Sequence, residues 1–283
     1  MDSLMLHIAG CDLRLEGAEA VRSVVGMKGF DVFRTERCTA PEEAWAVRFG
    51  CKVGPADGRT ILYTEVSDSW HCEFSRQGDC YCFTVGDFAL QYRLGSATVE
   101  ATAAQDAEVM RYALWFAFSL LSADAKATPV HSSAVVWGGR AVLFLGESGT
   151  GKSTHSRMWL QHIAGTRLLN DDSPVVTLQD GLPMAYGSPW SGKTPCYHSE
   201  GYPLHAVVRL SQAPHNRMRR LNVVESFAAL QPSCPPALAY DEHFADSVVE
   251  LVSDIISKVP VYRLECLPDG DAARLCHQTV FSK

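Results

Sequence analysis

The residues best equipped for chemistry in this 283-residue chain sit together near its middle, in Gly146-Glu147-Ser148-Gly149-Thr150-Gly151-Lys152-Ser153, followed by Thr154. The spacing is G-x-x-x-x-G-K-[ST], which arises by chance in about one chain in a hundred of this length. Glycines at 146, 149 and 151 let the backbone curl so that consecutive N–H groups, with those of Ser148 and Thr150, point at phosphate oxygens. A helix starting at Lys152 adds its positive end. Lys152 supplies a mobile cation for the β- and γ-phosphates, and Ser153 a hydroxyl for Mg²⁺. The expected ligands are ATP and Mg²⁺, and the alternative is a glycine turn with an incidental lysine.

A second group follows shortly. Asn170-Asp171-Asp172 ends an apolar run, with room between it and Ser153 for one short helix and one strand. Two carboxylates at a strand end beside a phosphate loop can divide two tasks, holding the metal and accepting a proton from an attacking hydroxyl. Read alone, Asp-Ser-Pro is ordinary turn chemistry; beside the loop the functional reading is preferred. His131, at the start of a strand ahead of the loop, reads by itself as a packed or solvated histidine. Lys193 reads equally as a ligand contact or a solvated loop lysine. Arg217, Arg219 and Arg220 form a basic cluster that could meet phosphates or an acidic partner, or simply end a strand in water.

The elements that must position these groups are legible around them. Residues 141–145 form an apolar strand running into the loop, preceded by the turn Trp137-Gly138-Gly139-Arg140 and a strand over 129–136. Residues 152–163 should be helical, and 166–170, 175–178, 206–210 and 261–266 extended. Asn222 and Glu225 resemble a capping box opening a helix to 230, and 241–257 is a long amphipathic helix closed by Pro260. Further back, Met110, Ala113, Leu114, Ala117, Phe118 and Leu121 recur at helical spacing behind Asp106 as N-cap, which reads as core packing. Residues 1–103 show short apolar runs at 60–66, 81–85 and 88–92 between turn signals, the pattern of an antiparallel β-rich region. The expected organisation is a β-rich accessory region over 1–103 and an α/β ATP-binding domain over 104–283.

Composition bounds the reading further. Hydrophobic residues make up 47% and charged residues 20%, as in soluble globular chains, and the net charge of −7 argues against a general nucleic-acid binder. No signal-like or membrane-spanning run is visible, so a cytoplasmic protein with no membrane partner is expected. The ten cysteines are then expected as reduced thiols, the pair Cys80 and Cys82 reading as alternating strand residues rather than zinc ligands.

His131 on a strand before the loop, the loop GESGTGKST at 146–154 and the acidic pair in Leu168-Leu169-Asn170-Asp171-Asp172 together resemble the HPr kinase/phosphorylase family, and more distantly ATP-dependent phosphoenolpyruvate carboxykinase. The likeness spans about residues 125 to 180. The segments 187–193 and 260–266 look like parts of HPr kinase-like proteins of unassigned substrate. The resemblance implies a P-loop kinase domain of that type. It implies Lys152 on phosphate, Ser153 on metal, Asp172 as proton acceptor from the substrate hydroxyl and also near the metal, Asp171 supporting the metal, and His131 beside the transferred phosphoryl group. It also makes a homo-oligomer an expectation. The family's glutamate-bearing Glu-x-Arg-Gly-Leu-Gly segment is absent, and Gly187-Ser188-Pro189-Trp190-Ser191-Gly192 occupies roughly its place. The expected reaction is transfer of the γ-phosphoryl group of ATP to a hydroxyl, of serine or threonine in a protein or peptide or of a small molecule. The rival is an ATP-gated binding protein with little or no phosphoacceptor activity.

Overall fold

A computed structural model describes residues 2–36, 43–66, 71–103, 106–192 and 194–282. The chain is mixed α/β and divides into two compact units, Met1–Ala125 with Ala237–Ala245, and Lys126–Pro236 with Asp246–Lys283.

The first unit is built on an eight-stranded sheet. Its strands are β1 (Ser3–Ile8), β2 (Cys11–Glu16), β3 (Trp45–Phe49), β4 (Thr60–Val66), β5 (His71–Gln77), β6 (Cys80–Val85), β7 (Phe88–Arg93) and β8 (Thr98–Ala101), in the order β1-β2-β3-β8-β7-β6-β5-β4. The antiparallel expectation holds for β4 to β8, but β3 lies parallel to both β2 and β8, so the sheet is mixed. Parallel pairing joins strands distant in sequence and needs a long crossover, here containing helix α1 (Ala18–Gly26) between β2 and β3.

Helix α2 (Ala107–Ser122) is capped by the Asp106 carboxylate, which accepts from the N–H groups of Glu108 and Val109. Its apolar stripe packs on this first sheet. The ring of Phe116 stacks on Phe83 at 4.0 Å and meets Phe74 edge-on at 5.2 Å. The units therefore part at Ala125/Lys126 rather than between 103 and 104, because the helix buries its stripe against the strands before it.

The second unit holds β9 (Ala127–Pro129), β10 (Ser132–Trp137), β11 (Arg140–Leu145), α3 (Lys152–His162), β12 (Arg167–Asp172), β13 (Val175–Gln179), β14 (Leu182–Tyr186), β15 (Gly201–Gln212), β16 (Arg217–Arg220), α4 (Val223–Leu230), most of α5 (Glu242–Lys258), β17 (Val261–Cys266) and α6 (Gly270–Phe281). The part of its sheet that matters here runs β12-β10-β11-β15-β17-β16, with β11, β15 and β17 mutually parallel. β10 and β11 form a hairpin through Gly138 and Gly139, at φ 55° and 73°, the positive-φ pair of a type I′ turn.

One face of this sheet is covered by α3 and α6. Val142 and Phe144 of β11, Ala206, Val208 and Leu210 of β15 and Leu264 of β17 pack there with Trp159 and Cys276. Side chains alternate along a strand, so Leu145 and its register partners point to the opposite face. The register from β12 to β16 runs Asp172–Ser132–Leu145–Arg209–Arg263–Arg219, one line of paired residues across six strands.

Candidate active site

The loop between β11 and α3 has the backbone its glycines permit. Gly149 and Gly151 lie at φ 80° and 108°, and a Cβ on Gly146 would come within 3.0 Å of the Thr150 side chain. Two features brace the arch. Ser133 of β10 and Ser156 of α3 share a buried hydrogen bond of 2.6 Å, and Gln212 at the end of β15 donates to the carbonyl of Gly149 at 3.2 Å.

At the β10/β12 flank, three sequence-predicted residues converge. The Lys152 ammonium donates to the carbonyls of Gly146 at 2.8 Å and Glu147 at 3.3 Å, and lies 2.8 Å from Nε2 of His131. The other ring nitrogen, Nδ1, lies 3.5 Å from Asp172 Oδ1. Burial pushes the imidazole below its ordinary range and the Lys152 charge adds to this, with Asp172 opposing. A neutral ring fits both contacts, accepting from Lys152 at Nε2 and offering Nδ1–H to Asp172. Burial likewise lowers Lys152, opposed by Asp172 and Asp171 and aided by the Arg209 charge; burial raises Asp172, opposed by His131 and Lys152.

His131 is not inside a strand as expected. The run 129–136 is broken at Val130 and His131, between β9 and β10, and the His131 N–H donates to the Ser233 carbonyl at 2.7 Å. The break frees the side chain from the pleat and turns it toward the loop. The acidic pair closes β12 rather than following it. Asp171 pairs with Ser133, whose hydroxyl faces α3, whereas Asp172 pairs with Ser132 on the opposite face. Adjacent carboxylates are thus divided between the two sides of the sheet.

The segment between β14 and β15 braces this strand end. Asn170, fully buried, donates from Nδ2 to the carbonyls of Ser188 and Trp190, both at 3.2 Å, and accepts from the Ser173 N–H at 2.9 Å. Gly192 N–H donates to the Asp171 carbonyl at 2.7 Å, and a Cβ on Gly192 would meet that oxygen at 2.9 Å, so only glycine fits. Lys193, the next residue, lies outside the described residues.

Ser153 and Thr154 occupy the first turn of α3. Ser153, on α3, and Asp171, on the sheet face toward α3, offer hard oxygens of the kind that could take Mg²⁺ together with phosphate oxygens, whereas Asp172 lies on the opposite face. Among the described residues no group of three His, Cys, Asp or Glu side chains is arranged as a metal site.

Two cavities flank the loop, each of about 560 Å³. The first opens on the α3 side between Thr154, Leu210, Leu267 and Pro268 and is largely apolar. The second lies against Glu147, Ser148, Gly149 and Thr150 and is lined by Arg209, Arg263 and Arg219, with Glu225 and Ala229 of α4. Of the basic cluster read from the sequence, only Arg219 lines it; Arg217 and Arg220 do not. Arg209 and Arg263 carry no local signal in the sequence, because neither sits near another basic residue and only strand register aligns them.

Elsewhere, nine described cysteines carry free thiols, and among the described residues no helix is long and apolar enough to cross a membrane.

Comparison with known proteins adds a limited likeness. No protein-family model matches the chain, and no curated protein matches it. Among solved structures, the Hpr(Ser) kinase/phosphatase from Coxiella burnetii is similar at 15% sequence identity and a TM-score of 0.31, over 54% of this chain and 93% of that one.

Proposed function

We propose that the second unit transfers the γ-phosphoryl group of ATP to a hydroxyl group. The observation that carries this reading is the contact chain Gly146 carbonyl–Lys152–His131–Asp172, in which a cation at a phosphate loop, a neutral imidazole and a carboxylate meet within successive distances of 2.8, 2.8 and 3.5 Å.

Lys152 now donates to carbonyls of its own loop; on nucleotide binding it exchanges them for phosphate oxygens, where its charge offsets that developing as the terminal bond breaks. Ser153 and Asp171, toward the α3 side, would hold Mg²⁺, which supplies charge neutralisation to the phosphates. The apolar cavity beside Thr154 suits the base, since Thr154 follows the residues that hold the polyphosphate. On the opposite face, Asp172 accepts the proton of the acceptor hydroxyl as its oxygen bonds to phosphorus and the bridging oxygen leaves with ADP. Asp172, partly desolvated, is more basic than a free carboxylate. His131 holds Asp172 and Lys152 at a fixed separation across the transferred group.

The test is phosphoryl transfer from labelled ATP, with Asp172→Asn beside the parent. The reading expects a fall of about 10²–10⁴-fold with ATP affinity nearly unchanged. Unaltered ATP turnover in the variant, with no acceptor found, would instead make the protein an ATP-gated binder.

A further inference from the structure

Three arginines face one cavity beside the loop, and the nucleotide contacts proposed above use none of them. Arg209, Arg263 and Arg219 lie on three adjacent strands at one register level, on the face that also carries Asp172. They are unequally satisfied. Arg219 is clamped by Glu225 through two bonds of 2.9 and 2.8 Å. Arg209 makes one 3.3 Å bond to the Ala229 carbonyl and a 3.7 Å approach to Glu147, itself almost fully exposed. Arg263 approaches Glu265 at 3.8 Å. A guanidinium has five N–H donors in a rigid fork that matches a carboxylate or phosphate. Arg209 and Arg263 therefore present most of theirs to the cavity.

The distance from the reacting centre limits what can fill it. Three strand steps separate Asp172 from Arg209 and a fourth reaches Arg263, which at about 4.8 Å per step is about 14–19 Å. A molecule with its hydroxyl at Asp172 and an anionic group among the arginines must bridge that span along the sheet face. A two- or three-carbon alcohol is too short for that backbone spacing. An extended peptide, advancing about 3.4 Å per residue, covers it in four or five residues.

We propose that the phosphoacceptor is a serine or threonine in an extended acidic peptide segment, with a carboxylate-bearing residue four or five positions from the hydroxyl seated between Arg209 and Arg263. This rests on the phosphotransfer reading for the role of Asp172, but the arginine site can be tested without it.

The experiment uses two fluorescent peptides, Ala-Ser-Ala-Ala-Ala-Glu-Glu-Ala and the same sequence with both Glu replaced by Gln, titrated with the full-length protein by fluorescence polarisation. The acidic peptide should bind at least tenfold more tightly. Arg263→Gln should remove most of that difference, by about tenfold, without changing binding of the Gln peptide. Arg263→Glu should favour a third peptide carrying Lys in place of Glu. Equal binding of the acidic and neutral peptides overturns the proposal, as does an Arg263→Gln variant that loses ATP affinity as strongly as peptide affinity, since the arginine would then serve the nucleotide. Circular dichroism on each variant separates misfolding from lost recognition. Transfer from labelled ATP to the bound peptide is measured alongside. Tight acidic-peptide binding with no transfer would sink the kinase reading while leaving the arginine site standing, and transfer to a short phosphorylated alcohol but to neither peptide would sink the peptide.

Discussion

On one flank of the phosphate loop the charged groups come from neighbouring positions of one strand, Asp171 and Asp172 at the end of β12. On the other they come from three strands, Arg209 on β15, Arg263 on β17 and Arg219 on β16. The acidic flank is tightly built. Its strand end is locked by buried Asn170 and by a glycine whose backbone touches Asp171. The arginine flank is looser: Glu225 clamps Arg219, but Arg209 and Arg263 make only long ion contacts. Reaction chemistry tolerates errors of well under an ångström, whereas recognition of an anionic residue by a flexible guanidinium does not require such precision. The difference in construction is what the proposed roles, catalysis on one flank and recognition on the other, would require.

The largest effects should therefore come from the acidic flank, and the adjacent carboxylates should behave differently. Asp172→Asn removes the proposed base and should cost about 10²–10⁴-fold in transfer at nearly constant ATP affinity. Asp171→Asn, on the other face, should chiefly raise the Mg²⁺ concentration needed. Identical profiles for the two variants would contradict the division of faces, and transfer assays across a Mg²⁺ series would reveal it.

Lys152→Ala comes next. It deletes a charge-assisted contact to phosphate, worth about 1.5–3 kcal/mol, or roughly ten- to a hundredfold in affinity. Calorimetric titration with ATP measures this, and unchanged affinity would remove the phosphate-loop reading altogether.

Asn170→Ala probes the scaffold of the acidic flank. It leaves the carbonyls of Ser188 and Trp190 and the N–H of Ser173 without their partner in a buried site. The cost should be about 2–3 kcal/mol of stability and a fall of roughly 5 °C or more in Tm. A thermal shift below about 1 °C would mean that the brace is dispensable.

These differences track what could be read in advance. The strand and helix that flank the glycine loop and the Asn222 capping box are local patterns, and each lies where the residues imply. The acidic pair was legible because it arrives one helix and one strand after the loop. Three things were not legible. The break at Val130 and His131 depends on the Ser233 carbonyl, far along the chain. Helix α6 carried its own signal, an Asp269 N-cap before Ala272, Ala273, Cys276 and Val280, but its apolar residues are small and the periodicity is weak. The arginine row exists only through register between strands whose pairing no local pattern encodes.

The smallest effect should come from Gln212, and its size decides how far the loop leans on β15. Its amide donates to the Gly149 carbonyl at 3.2 Å and sits 3.5 Å from that of Thr150, in an exposed position. In Gln212→Ala, water replaces the amide at both carbonyls, so the loss is about 0.5–1 kcal/mol, without the penalty that a buried orphan would add. ATP affinity should fall by roughly two- to fivefold, as measured by calorimetry, and Tm should stay within about 1 °C of the parent. Asn170→Ala should do the reverse, lowering Tm clearly and ATP affinity little, because it braces a strand end from within the core. A Gln212→Ala variant as damaged in ATP binding as Lys152→Ala would mean that the loop depends on β15 for its shape. The three glycines would then not suffice to hold the arch, and the two flanks would be coupled through it rather than separately built.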